Sequence, residues 1–257
     1  MSKPSISSGR SAGNGAPQGR LEPLTGALQL GTRAYRALVN GIVDGQIEPG
    51  AQLRPDVIAE QLEISVTPVR EALHRLEGDG LVVKLPYHGW FVREFTEPEV
   101  RELYALRAAL ECFAVRLACA RATPAQLADL RKHQAVGERA LTRGDMDAYR
   151  LYNRDLHAAI VNVAGNSYLT SVMSQLALQS QMLMARTIRL VGRPSRAIEE
   201  HHELIELIAR RDGAAAERLM EKHILSALED IAQFAVSDAG RKDEEAAASP
   251  ALRHGRR

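Results

Sequence analysis

Three histidines of this chain stand where their ring nitrogens could share one ion. Of the eight histidines, His74 and His88 lie in the N-terminal half and His254 lies in the C-terminal tail. His133 has no partner that the sequence names. His157, His201, His202 and His223 fall in a long stretch whose apolar residues recur at helical spacing. An ideal helix turns about 100° per residue. Over 195–211, with Ile198 as origin, Leu204, Ile205, Leu207 and Ile208 centre near roughly 280°, and His201 falls at about 300° among them. His202 falls at about 40°, on the edge of that face. His223 sits among Leu219, Met220, Ala227 and Ile231. His157 sits beside Leu156, Ile160 and Val161, with Asn153 one turn earlier on the same face.

Three inward imidazoles are costly unless something satisfies their nitrogens. A divalent cation would take one nitrogen from each ring. Three histidines plus an oxygen suit zinc, or nickel, and leave space for water or a ligand oxygen. The alternative is a set of buried hydrogen bonds from the rings to backbone carbonyls or waters. Three histidines around an open metal also describe hydrolases and lyases. No carboxylate stands at a convincing general-base position, so an enzyme is not expected. The two cysteines, Cys112 and Cys119, lie about two turns apart on one helix, too distant for a disulfide. They read as buried small hydrophobes in a reducing cytoplasm.

The elements that must hold these residues are helices. The pattern predicts them at 97–121, 124–142, 145–163, 167–190, 195–211 and 213–236. Thr96-Glu97-Pro98-Glu99 is a capping box with an acidic first turn. Thr123, Asp145, Asn166, Ser195 and Asp212 mark the later starts. Gly144, Gly165, Gly192-Arg193-Pro194 and Gly213 separate the segments. No strand pattern interrupts them, so the segment from 95 to 236 is expected to be an all-α antiparallel bundle. Residues 1–27 are Ser/Gly/Pro-rich and 237–257 are polar, and both are expected to lack regular structure. The composition is otherwise globular, 45% hydrophobic and 25% charged. A net charge of +1 means that any contact with nucleic acid must come from a local basic patch. No apolar run is long enough to span a bilayer.

Upstream, 28–94 reads differently. A helix from Leu30 to Asp44 carries Ala34, Leu38, Ile42 and Val43 periodically. A short helix follows from Pro55 to Leu62, then a turn at Glu63-Ile64. A second helix is capped by Ser65 or Thr67, with Pro68 in its first turn. Its Val69, Ala72, Leu73 and Leu76 face inward, and Arg70, His74 and Arg75 face out. Gly78 and Gly80 stop it. Leu81 to Leu85 and Trp90 to Val92 then form a hairpin through Pro86-Tyr87-His88-Gly89. Helix, turn, helix and hairpin make a winged helix-turn-helix. Its second helix fits a major groove and presents Ser65, Val66, Thr67 and Arg70 to base edges, with His74 further along and the tip at His88-Gly89 near a minor groove.

The string S-V-T-P-V-R-E-A-L from Ser65, then R-L-E-G-D-G-L-V and the wing H-G-W-F-V, resembles the GntR family of bacterial transcription regulators. The upstream Gly45-Gln46-Ile47-Glu48-Pro49-Gly50-Ala51-Gln52-Leu53 is similar to that family as well. Two departures stand out. The family usually places a base-contacting Arg after the Ser, where this chain has Val66. Asp56 stands where some members carry a DNA-contacting Arg. Val cannot make the bidentate contact to guanine that Arg makes, but it can meet a thymine methyl.

The second segment resembles the FCD effector domain of the FadR subfamily, through Leu103-x-x-Leu106-Arg107-x-x-Leu110-Glu111, Asn153-x-x-Leu156-His157, Glu200-His201, Arg211-Asp212 and His223. The resemblance implies a mainly α protein with a metal held by His157, His201 and His223. The position four before the first His is commonly Asp and here is Asn153, a weaker oxygen donor. It also implies a small carboxylate effector, for which Arg107 is the candidate cation, the alternative being an ion pair of Arg107 with Glu111 on the helix surface. The function expected is a cytoplasmic, ligand-responsive regulator that binds a pseudo-palindromic double-stranded DNA operator as a homodimer. The alternatives are a metal-dependent enzyme, or a regulator whose metal is purely structural.

Overall fold

Glu63 adopts φ 53°, and this left-handed residue lets the chain reverse between two short helices. The Ile64 amide donates to the Ala59 carbonyl across the turn, so the steep crossing is locked by backbone as well as packing. In the computed structural model the described residues are 27–187 and 193–248, with side chains described over 29–184 and 193–231. The order is α1 Ala27–Val43, β1 Gln52–Leu53, α2 Pro55–Gln61, α3 Val66–Gly78, β2 Val82–Leu85 and β3 Gly89–Val92, followed by six further helices. Those are α4 Glu97–Arg121, α5 Pro124–Thr142, α6 Met146–Val163, α7 Ser167–Thr187, α8 Arg193–Ala209 and α9 Gly213–Ala248. The architecture is mainly α, a winged helix-turn-helix followed by a helical bundle.

The head closes around Leu38, Ile42, Leu53, Val69, Leu73, Leu76, Leu81 and Trp90. β2 and β3 pair antiparallel from Val82↔Val92 to Leu85↔Gly89. Tyr87 at φ 64° and Gly89 at φ 92° turn the wing tip. The two-residue β1 pairs with the other edge of β3, Leu53 opposite Trp90. The sequence reading lacked this third strand because two residues carry no periodicity.

The bundle core is a main apolar cluster that includes Tyr104, Val115, Leu130, Leu156, Ile160, Leu204, Met220 and Ile224, with a smaller one around Ala114, Val161, Leu169 and Met173. The Thr96 amide and hydroxyl both donate to Glu99, at 2.8 Å each, as the capping motif predicts. The amides of Gln126 and Ala148 find Thr123 and Asp145 in the same way. Several boundaries differ from expectation, most by one or two residues. α1 begins at Ala27 rather than Leu30. α8 begins at Arg193 rather than Ser195, because Pro194 suits a first helical turn as well as it suits a separator. α9 runs to Ala248, past the expected end at 236. Its last stretch is rich in Ala, Glu, Lys and Arg, which favour helix even without an apolar face. The segments 1–26, 188–192 and 249–257 lie outside the described residues, and with them the expectations made for those stretches.

Candidate metal centre and nucleic-acid interface

The three predicted histidines meet. His157 comes from α6, His201 from α8 and His223 from α9, and the three residues are 6%, 0% and 3% exposed. One nitrogen from each lies within 4.8 Å of the other two. His202 is exposed, as its place on the edge of the apolar face required.

The opposite nitrogen of each ring is held by the protein. His157 Nδ1 donates to the Glu111 carboxylate. His223 Nδ1 donates to Glu200 Oε2 at 2.7 Å. His201 Nδ1 lies 2.9 Å from the Tyr152 hydroxyl, and its proton follows from the network behind it. Gln134 gives its amide hydrogens to the Ile198 carbonyl and to Glu138, so its Oε1 accepts. Tyr152 donates its one proton to that oxygen at 2.7 Å, so the Tyr152 oxygen accepts from His201 Nδ1–H. Burial, and then the neighbouring imidazoles, hold His201 and His223 well below the usual histidine range, so both are neutral at pH 7.

A neutral imidazole has one N–H. With that hydrogen on Nδ1 in His201 and His223, their Nε2 atoms are bare lone pairs facing one another, while His157 gives its Nδ1 hydrogen to Glu111. His201 Nε2 and His223 Nε2 are 3.2 Å apart, and His157 Nε2 is buried with no hydrogen-bond partner among the described residues. Lone pairs so placed repel unless a cation lies between them. Three nitrogens bound tetrahedrally at about 2.1 Å from zinc would sit roughly 3.4 Å apart. The donor set therefore fits a divalent ion, and the carboxylate–imidazole pairs are the outer support that such sites need.

Several of these supports were not visible beforehand. Glu111 and Glu200 lie 1% and 7% exposed, close to the histidines where no useful carboxylate was expected. They are occupied in holding Nδ1 atoms. Burial alone would raise the Glu111 carboxyl, but the Arg107 guanidinium and His157 beside it hold it below the usual carboxylate range. Arg107 does pair with Glu111, at 2.5 Å. The pair is buried rather than on the helix surface, because α7 covers it and Met184 Sδ accepts from Arg107 Nη1. Asn153 is buried on the same wall as His157 and its amide reaches Met184 Sδ at 3.9 Å. Arg193, expected between helices, ties α8 to α9 through Ser226, the His223 carbonyl and Asp230. The cysteines are free and buried, with thiols directed at backbone carbonyls.

A cavity of about 240 Å³ opens beside His157 between α4, α6 and α7. α7 has two faces. Ala177, Ser180, Gln181 and Met184 line the cavity. Leu178 and Met182 pack into the core of the winged helix, and Gln179 donates to the Asp79 carbonyl at 3.1 Å.

On the head, Ser65, Thr67 and Arg70 are exposed together at the start of α3. Ser65 is the N-cap residue in extended backbone. Val66 is half-buried against the head core. His74 is exposed but engaged, bonded to Glu77 at 3.2 Å and edge-on to Trp90. Lys84 lies over the other aspect of Trp90 at 4.8 Å, which adds a cation that the sequence reading did not single out. Arg75 turns away and stacks on Tyr35 of α1. Asp56 is paired with Arg54 at 2.8 Å. His88 is exposed at the wing tip, and its carbonyl accepts from Gln52.

A winged helix-turn-helix joined to a helical bundle that brings three imidazoles together is the architecture of a DNA-binding regulator. Comparison with known proteins gives the family. Residues 30–92 match the bacterial regulatory proteins of the gntR family, and residues 102–226 match the FCD domain. The Nta operon transcriptional regulator of Aminobacter aminovorans is 32% identical over 197 residues, covering 74% of this chain and 90% of that protein. The transcriptional repressor GlaR of Escherichia coli K12 is 29% identical over 207 residues, covering 77% and 94%. The solved structure of E. coli McbR/YncC superposes with a TM-score of 0.70 at 26% identity, covering 79% of this chain and 97% of that one. The chain belongs to the GntR family and carries an FCD domain. It is a transcriptional regulator, and its relatives are named as regulators rather than enzymes.

Proposed function

We propose that this regulator holds a divalent cation, zinc in the first instance and nickel as the alternative, through His157, His201 and His223. A small carboxylate reaching that ion through the adjacent cavity would set its affinity for DNA. The observation that carries this reading is the convergence of three buried ring nitrogens, one from each histidine, whose opposite nitrogens are each committed to a protein acceptor. A bound ion would supply a Lewis-acidic anchor for a carboxylate oxygen. Asn153 would contribute a neutral amide oxygen or contact the effector. Arg107, beside the cavity, would add positive potential shared with Glu111.

The DNA-reading set is Ser65, Val66, Thr67, Arg70, His74, His88 and Gly89. A homodimer would place two such heads in successive major grooves of a pseudo-palindromic operator in the cytoplasm. One small reader seldom supplies enough contacts for specific binding. On α4 Leu106 is exposed, and Leu110, Phe113 and Leu117 along the same stripe are only partly buried against the core, so a second copy would find apolar surface to cover there. The effector would shift operator affinity by its differential affinity for two placements of the heads.

Metal analysis of the full chain tests the centre. One zinc per chain is expected, with loss in His157→Ala, His201→Ala and His223→Ala. Unchanged metal content in all three variants refutes it. Sedimentation showing only monomer with and without operator refutes the dimer.

A further inference from the structure

The cavity beside His157 has a charge pattern that selects among acids. Three guanidiniums line it, and each already has a carboxylate. Arg107 pairs with Glu111 at 2.5 Å, Arg150 with Asp44 at 2.5 Å and Arg154 with Asp155 at 2.7 Å. Much of the rest of the wall is apolar, built from Val161, Met173, Leu176, Ala177 and Met184, with Asn153, Asn162 and Gln181 among its polar members. One further polar group has no match. Ser180 lines the cavity, is 4% exposed, and its hydroxyl has no hydrogen-bond partner among the described residues. It sits on the cavity-facing side of α7, a residue type with little reason to be buried there unless something bonds to it.

We infer that the cavity takes an acid with a single carboxylate, an apolar body and one hydroxyl or carbonyl oxygen that pairs with Ser180. This inference rests on the reading of the three histidines as a metal centre that anchors the carboxylate. The size follows from the volume. About 240 Å³ is the share of roughly eight waters in the liquid, hence a ligand on the order of ten non-hydrogen atoms. The single charge follows from the wall. A second carboxylate would be buried against Val161, Met173 and Leu176 without an unmatched cation, and an unpaired buried charge is strongly disfavoured. Drawing Arg107 across would strand the buried Glu111, and drawing Arg150 across would take Asp44 from its partner; Arg154 and Asp155, 42% and 45% exposed, sit in water and away from the buried wall. The hydrogen-bonding substituent follows from Ser180, because a pocket with a polar group to satisfy rejects analogues that leave it bare. The two methionines suit a planar body, since thioether sulfur packs well on aromatic rings.

Calorimetric titration of the zinc-loaded full chain tests this with benzoate, the three hydroxybenzoates, hexanoate, succinate and citrate. Benzoate and hexanoate are expected to bind at least tenfold more tightly than succinate or citrate. One hydroxybenzoate isomer should gain about another tenfold over benzoate. Ser180→Ala, which keeps helix propensity, should abolish that gain and leave benzoate itself unchanged. Succinate or citrate binding more tightly than the monoacids overturns the single-charge assignment while the metal centre stands. A hydroxyl gain that survives in Ser180→Ala, or no gain with any isomer, overturns the role of Ser180. A chain that takes up no zinc overturns the underlying metal reading instead, and equal binding of benzoate to zinc-loaded and chelator-treated protein overturns the anchor.

Discussion

Arg150, in the wall of the cavity, holds Asp44 at the end of the first helix of the head, 2.5 Å away. Arg150 is 15% exposed and Asp44 35%, and the pair joins the helical bundle to the winged-helix domain through a residue that also lines the cavity. α7 makes the second connection, because its spacing puts Ala177, Ser180, Gln181 and Met184 on the cavity while Leu178, Gln179 and Met182 meet the head. Anything that moves α7 or competes for Arg150 alters how the head is seated. Asp44→Asn removes the charge without entering the cavity. It should lower stability by about 1 kcal/mol in denaturant unfolding and leave binding of a monoacid such as benzoate unchanged, while succinate, meeting an unmatched Arg150, binds more tightly. The acid-induced change in operator affinity should shrink several-fold. An unaltered response would mean that the signal runs elsewhere.

If the three histidines hold an ion as proposed, its outer support should matter almost as much as the histidines themselves. Glu200→Gln keeps the size of the side chain but weakens its hold on His223 Nδ1. Zinc affinity should fall about 10–100-fold, read by competition with a chromogenic chelator, while the helical circular dichroism stays the same. Tyr152→Phe should act in the same direction by freeing the His201 tautomer.

Gly137 has a role that only its surroundings reveal. A Cβ there would lie 2.4 Å from Tyr152 Cε1, so Gly137→Ala must push the ring that orients His201. A loss of roughly 1–3 kcal/mol in unfolding free energy is expected from such overpacking, together with weaker zinc binding. Wild-type stability and zinc affinity in this variant would show that α5 and α6 can separate freely.

For DNA, Arg70→Ala should cost about 1–3 kcal/mol of specific binding with little change in salt slope if Arg70 reads a base. A drop of about one unit in that slope at unchanged specificity would make it a phosphate contact. Val66→Arg should shift sequence preference towards guanine at one position of each half-site, measured by selection from a randomised operator.

Glu99 predicts an acid limb of stability. Its carboxylate accepts from the Thr96 amide, from Arg93 and from the Thr96 hydroxyl, which hold it down at about 2 from an ordinary 4.5. A depressed folded value contributes stability above pH 4.5, and that contribution fades as pH falls towards 2. Glu99→Gln should flatten this limb in thermal melts between pH 5 and 2.5. A variant with the same pH dependence as wild type would assign the limb to other carboxylates.

The sequence alone determined the two-part organisation, because helical periodicity, caps at Thr96, Thr123 and Asp145, and the turn before Ser65 are local signals. It also determined that His157, His201 and His223 face inward, since each lies within its own helix's apolar stripe. The family strings around Ser65 and His157 gave the expectation of a regulator. Tertiary structure decided what completes the site. Glu111 was read only as the possible partner of Arg107, and nothing in its own helix says that His157 from α6 will reach its other oxygen. Tyr152 and Gln134 form a proton chain only because α5 and α6 pack closely at Gly137. The buried Arg107–Glu111 pair, the bridge from Arg150 to Asp44 and the two-faced α7 are likewise contacts between elements far apart in the chain. Periodicity reports which side of a helix is apolar. The partner that side will meet is set by how all the helices pack together.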